Sequence, residues 1–129
     1  CVVYTGTHDN DTLCGWYKVL DPEDLKLSQK YMNNANTPKR KIHWDFIRLA
    51  LASVADLCII PLQDYLGLGK EARMNFPSTL GHNWEWRVRK EQLTHDLAGY
   101  IAHMTGLSYR WRIDPPKEEE TNETDTENE

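Results

Sequence analysis

Val2-Val3-Tyr4-Thr5-Gly6-Thr7-His8-Asp9-Asn10-Asp11-Thr12 is an apolar pair running into a turn crowded with hydrogen-bonding side chains. It reads as a short strand, about 1–5, that ends in a loop bearing carboxylates, an imidazole, an amide and hydroxyls. Such groups at a strand's C-terminal end suit chemistry on a polyhydroxylated substrate. The strand holds them rigidly while the loop leaves them exposed, which is how barrel enzymes place their sites. The same residue types also build an Asx-rich turn, because Asp, Asn and Thr close loops through local hydrogen bonds. Spacing alone leaves both readings open.

Further along, two blocks extend the pattern. Pro61-Leu62-Gln63-Asp64-Tyr65-Leu66-Gly67-Leu68-Gly69 leads to Glu71-Ala72-Arg73-Met74-Asn75, and Pro77-Ser78-Thr79-Leu80-Gly81 leads to Asn83-Trp84-Glu85-Trp86-Arg87. Together with Thr5–Asp11, in this order and spacing, the three blocks resemble the closing segments of the 4-α-glucanotransferases, also called amylomaltases or disproportionating enzymes. The resemblance covers about residues 1–113. That would be only the last part of a family enzyme several hundred residues long.

Length and composition agree with a piece of something larger. The chain has 129 residues and starts at Cys1 rather than Met, which reads as a processed, engineered or incomplete beginning. There is no signal peptide and no apolar run long enough to span a bilayer, so no membrane partner is expected. Cys1, Cys14 and Cys58 form neither an even framework nor a CxxC pair. They read as reduced thiols in a cytoplasmic protein, with Cys58 in the core.

The formal charge of −5 is concentrated at one end. Residues 114–129 hold eight acids and one lysine, a net −7, leaving about +2 for residues 1–113. With no apolar side chain after Pro116, that acidic tail cannot offset its ordering entropy and is expected to be disordered. The division is therefore 1–113, part of a catalytic barrel, and 114–129, tail. The absence of a basic stripe argues against nucleic acid.

The coarse element order is strand, helix pair, strand, long loop, helix. Asp21-Pro22 starts a helix as N-cap and first helical residue, and Asn33-Asn34-Ala35-Asn36 stops it. Thr37-Pro38 opens the next helix by the same device. Its buried face is read as Ile42, Phe46, Leu49, Ala50 and Val54. The second strand, about 57–61, is nearly all apolar, as for a parallel strand covered on both faces. Gln63 to Arg89 is a long loop. The last helix, about 90–105, turns Leu93, Leu97, Ile101 and Met104 to one side and ends at Gly106. Two strands each followed by helix make an α/β fragment. The resemblance implies the last two βα units of an eight-stranded (β/α)8 TIM barrel. Two strands would leave open sheet edges and a marginal core, so the chain is expected to fold with the rest of the enzyme or to associate.

Retaining glycosidic transfer needs a nucleophilic carboxylate and an acid/base carboxyl about 5–5.5 Å away. The resemblance implies that Asp9 is a third, supporting carboxylate that stabilises the transition state by holding sugar hydroxyls. His8 would bind the same hydroxyls, and Asn75 would contact the glucan. The nucleophile and acid/base of the family lie on earlier segments that have no match here. The partners implied are maltooligosaccharides or α-glucans and the missing N-terminal part of the same enzyme. No metal and no organic cofactor is implied.

Several residues keep two readings. Arg73 contacts glucan or braces its loop by pairing with Glu71 or Asp64. Trp84 and Trp86 stack on sugar or, by their alternation around Glu85, pack. Gln63 and Asp64 reach the site or brace the loop, and Asp11 joins the site or caps the turn. His43 and Trp44 read as structural, and His95 and His103 as ordinary exposed or half-buried histidines of the final helix. Two other classes compete. One is a metal-dependent phosphohydrolase using His8, Asp9 and Asp11, which lacks ligand spacing elsewhere. The other is a non-catalytic protein-interaction module with an acidic tail and an apolar sheet edge.

Overall fold

Two three-residue strands set the frame. The structure is a computed structural model and describes residues 1–110. Strand β1, Val2–Tyr4, pairs in parallel with β2, Leu57–Ile59, in the register Val2 to Leu57, Val3 to Cys58 and Tyr4 to Ile59. Parallel strands need a long crossover. Here it carries three helices, α1 (Leu13–Lys18), α2 (Pro22–Met32) and α3 (Ile42–Leu51). After β2 come the single-turn α4 (Leu62–Tyr65) and α5 (His95–Leu107). The expected acidic tail lies outside the described residues.

Capping chemistry explains the boundaries. Thr12 caps α1, its hydroxyl accepting from Gly15 N at 3.1 Å. The sequence reading had no helix here, because six residues around a glycine give no periodicity. Asp21 caps α2 as expected, accepting from Glu23 and Asp24 N at 2.9 Å each. Asn33 ends it in the left-handed region at φ 52°, where asparagine is tolerated. Thr37-Pro38 does not cap α3. A 3-10 turn at Lys39–Lys41 intervenes, without a side-chain cap.

The buried stripe of α3 is Ile42, His43, Ile47, Ala50 and Leu51. This corrects the expected face, because Leu49 is exposed and Val54, beyond the helix end, is fully so. The stripe is rotated toward Ile47 and Leu51, which meet Leu13 of α1 and Met104 of α5 in the main core. Cys14, Tyr17 and Ile42 form a second cluster, and Phe46 packs against both.

Cys58 lies against the main core, while its neighbours do not. Val2, Tyr4, Leu57 and Ile59 are 40–52% exposed. With a side-chain period of two, they share the other face of the sheet. Among the described residues that face is left half-exposed, so the two-sided burial expected for β2 is not met.

Helix α5 starts at Thr94, whose hydroxyl accepts from Leu97 N at 3.1 Å. It runs through Gly106 rather than stopping there. Tyr109 takes the left-handed position at φ 53°, with Tyr109 N donating to Gly106 O and Arg110 N to Thr105 O. That is a Schellman closure built without glycine. Leu93 precedes the helix and is exposed, so it leaves the expected apolar face, and Met104 is the helix's buried residue. Arg110 then reaches back, donating to the carbonyls of Leu51 (2.6 Å), Ser53 (2.9 Å) and Ala55 (2.8 Å). It thereby closes the corner between α3 and β2. No described helix is long and apolar enough to cross a membrane.

Candidate functional site

Both strands point their C-terminal ends the same way, so the loops that follow them meet. Asp64, in α4, ties them together. Its Oδ2 accepts from the Thr5 hydroxyl at 2.6 Å and its Oδ1 from Leu13 N at 2.8 Å. One side chain thus fixes both ends of the Gly6–Thr12 loop. Asp64 is 3% exposed, and burial pushes its carboxyl above the usual carboxylate range. The bonds from Thr5 and Leu13 pull in the opposite direction. Gln63 braces as well, donating from Nε2 to Ala72 O at 3.4 Å. Gly67 ends α4 at φ 63°, and a Cβ there would come within 2.7 Å of the buried His43 ring. Only glycine suits that position.

Inside the loop, the two readings of the sequence divide between residues. Asn10 Oδ1 accepts from Thr7 N at 2.7 Å and from the Thr7 hydroxyl at 2.9 Å. Asp11 Oδ1 accepts from Thr12 N at 2.8 Å. Asn10 and Asp11 therefore close the turn. His8 and Asp9 are left at its crest, with side chains 54% and 49% exposed.

The second loop folds over that crest. Asn75 donates from Nδ2 to Asp9 Oδ1 at 2.7 Å and from its backbone N to His8 O at 3.1 Å. Arg73 donates from Nη2 to Asp9 O at 2.7 Å and from Nε to Asn75 O at 2.9 Å. Its guanidinium also lies 4.6 Å from the Phe76 ring. The expected pairing of Arg73 with Glu71 or Asp64 does not form. Glu71 instead accepts from Gly69 N at 2.9 Å. His8 Nε2 lies 3.4 Å from Asp9 Oδ1, and the Trp84 ring packs on the His8 ring at 5.0 Å.

The structure therefore brings His8, Asp9 and Asn75 into one cluster beside an open cleft of about 610 Å³. Chemically, this is a fixed carboxylate flanked by an imidazole and an amide. Among the described residues only one Asp9 oxygen is engaged by a hydrogen bond. The other carboxylates lining the cleft, Asp11 and Asp64, are held in backbone bonds. No three His, Cys, Asp or Glu side chains among the described residues converge as metal ligands, so the phosphohydrolase reading lacks its ligand set there. Of the two readings for Arg73, the structure shows the brace, but through backbone carbonyls that no spacing reveals rather than through Glu71 or Asp64. Trp84 is half-exposed and packs on His8, whereas Trp86 is partly buried.

The 4-alpha-glucanotransferase family profile matches residues 1–94, a stretch that contains every residue of this cluster. The chain belongs to the 4-alpha-glucanotransferase family. The 4-alpha-glucanotransferase of Synechocystis is 49% identical over 107 residues, which are 82% of this chain and 21% of the relative. That of Thermus thermophilus is 42% identical over 112 residues, 84% of this chain and 22% of the relative. An amylomaltase from Streptococcus agalactiae, solved in complex with acarbose, superposes with a TM-score of 0.80 at 35% identity. That match covers 86% of this chain and 22% of the other. The chain thus spans about a fifth of the length of the 4-alpha-glucanotransferases it matches.

Proposed function

We propose that these residues are the C-terminal part of the catalytic barrel of a 4-alpha-glucanotransferase. The whole enzyme cleaves an α-1,4 linkage and passes the glucanyl segment to the 4-hydroxyl of another sugar, with retention. Residues 1–113 supply the last two units of a (β/α)8 barrel. The exposed face of Val2, Tyr4, Leu57 and Ile59 is its interior layer, filled by side chains from the remaining strands.

The observation that carries this reading is the setting of Asp9. One oxygen is fixed by Asn75 and the backbone is fixed by Arg73, which leaves a half-exposed carboxylate aimed at a cleft. The transition state resembles an oxocarbenium ion, and a preorganised negative charge stabilises it without reorganisation during the reaction. Asp9 also accepts from sugar hydroxyls, which holds the ring distorted. His8 and Asn75 hydrogen-bond the same glucan. The nucleophile and the acid/base are carboxylates contributed by the preceding part of the enzyme. Neither metal nor organic cofactor takes part, because carboxyl groups supply acid, base and nucleophile. The substrates are maltooligosaccharides and longer α-glucans, handled in the cytoplasm.

The test is Asp9→Asn in the complete enzyme, assayed by glucose release from maltotriose. Turnover should fall by about 10²–10³-fold with the unfolding midpoint unchanged. Near-normal turnover in a folded variant would sink the assignment. Residues 1–129 alone should show no transfer.

A further inference from the structure

Residues 78–84 have a backbone unlike the rest of the described residues. Ser78, Gly81, His82 and Trp84 all sit at positive φ, between 56° and 79°. Gly81 pays nothing for this. A tryptophan does, because its Cβ crowds the following carbonyl in the left-handed region. Strain of this kind persists only where the surroundings over-determine it, and it clusters at functional sites. Here two bonds enforce it. Trp84 N donates to Met74 O at 2.6 Å, and Phe76 N donates to Asn83 Oδ1 at 2.8 Å.

The strained turn does not bury the indole, which stays 50% exposed. What the indole gains is His8, with ring centroids 5.0 Å apart and planes tilted by 35°. The same imidazole has Nε2 3.4 Å from Asp9 Oδ1. His8 therefore neighbours both the indole and the carboxylate, and the segment that carries Trp84 is tied to Met74, next to Asn75.

We propose that Trp84 is a positioning residue whose indole, set by the strained turn, fixes the imidazole of His8 beside the Asp9 carboxylate. It acts on the sugar through His8 rather than by touching it. This rests on the reading of His8 and Asp9 as groups that hold sugar hydroxyls.

The experiment is a double-mutant cycle in the complete enzyme, with Trp84→Gly, Trp84→Phe and His8→Ala. Glycine accepts positive φ, so Trp84→Gly should unfold no earlier than the wild type. Its kcat on maltotriose should nevertheless fall about ten- to a hundredfold, with KM moving less, since a misplaced group near the reacting centre is costly. Trp84→Phe should recover most of that loss. On the His8→Ala background, Trp84→Gly should cost no more than about a further twofold, because groups acting as one unit are not additive. Fully additive losses would overturn the proposal in favour of direct contact between indole and sugar. Wild-type kcat in Trp84→Gly would overturn it in favour of packing.

A second readout needs no activity. In the complete enzyme, the indole ring current should displace the His8 ring-proton signals upfield, and Trp84→Gly should return them to free-histidine positions. Undisplaced signals in the wild type would end the proposal. Displaced signals in a complete enzyme that makes no transfer would instead overturn the function proposed for the site and leave the His8–Trp84 contact standing.

Discussion

The two sides of the small sheet are built on opposite terms. At the C-terminal strand ends, Asp64, Asn75 and Arg73 join two loops through short polar bonds, and a narrow set of side chains is over-determined. On the sheet's other face, Val2, Tyr4, Leu57 and Ile59 pair across the strands and stay 40–52% exposed. The polar end is closed by residues within reach of one another. The apolar face is left half-exposed by the described residues. The site's local geometry is thus self-contained, whereas burial of the sheet that supports it is incomplete.

That contrast can be broken most sharply at Asp64. Removing its carboxylate orphans the Thr5 hydroxyl and Leu13 N–H together. Asp64→Ala should therefore cost about 2–4 kcal/mol, on the usual penalty for buried unsatisfied groups. Asp64→Asn should cost less, since one acceptor oxygen remains. Urea unfolding of residues 1–129 measures both, and a loss for Asp64→Ala below about 1 kcal/mol would deny the cross-link its role.

Ile59→Thr examines the other side. In residues 1–129 the change should stay within about 0.5 kcal/mol, as surface substitutions do. In the complete enzyme, under the proposed placement of this face in the barrel interior, the same change should cost about 1.5–3 kcal/mol. Equal, small effects in both settings would contradict the barrel placement of the sheet.

The smallest effect is a pH dependence with two opposing parts. Burial holds the imidazole of His43 below its ordinary value of 6.5. The unfolded chain then binds the proton more readily, and stability falls as pH drops from about 6.5 through the folded value. Asp64 is raised by burial, so its folded form binds the proton more readily. Its contribution increases as pH falls through the raised value toward 3.8. The acid limb should therefore begin with His43, and His43→Gln should flatten the part just below pH 6.5. An unchanged limb in that variant would show that His43 titrates normally.

How much of this was legible in the sequence varies with the kind of interaction. Helix α2 was readable because Asp21, Pro22 and Asn33 act on the backbone beside them. Helix α1 was not, being six residues long with Gly15 placed where any Cβ would strike the Asp11 carboxylate. The α3 stripe was misjudged at Leu49 and Val54, because periodicity cannot say where partner helices lie. Gly106 looked like a stop, yet the chain kept its helical turn and closed at Tyr109. At the site, His8, Asp9 and Asn75 are singled out by the resemblance of their blocks, and the structure places them within hydrogen-bonding reach of one another. Arg73 braces its loop as one reading had it, but its partners were not legible because they are carbonyls, which every residue has. The backbone of Trp84 was not legible, because no residue pattern announces a tryptophan in the left-handed region.

Arg110 carries a practical lesson about trimming. Its planar guanidinium serves three carbonyls at the corner between α3 and β2, all from a residue three places beyond the last helical one. A version cut at Leu107 would retain Met104 and every apolar contact of the core. It would still lose the hub that pins that corner, and lysine could not replace it, because a single ammonium has no such fork. The useful boundary of this segment is therefore set by a hydrogen-bonding arginine rather than by the end of a helix, and protease sensitivity of the Leu51–Ala55 corner would report its loss.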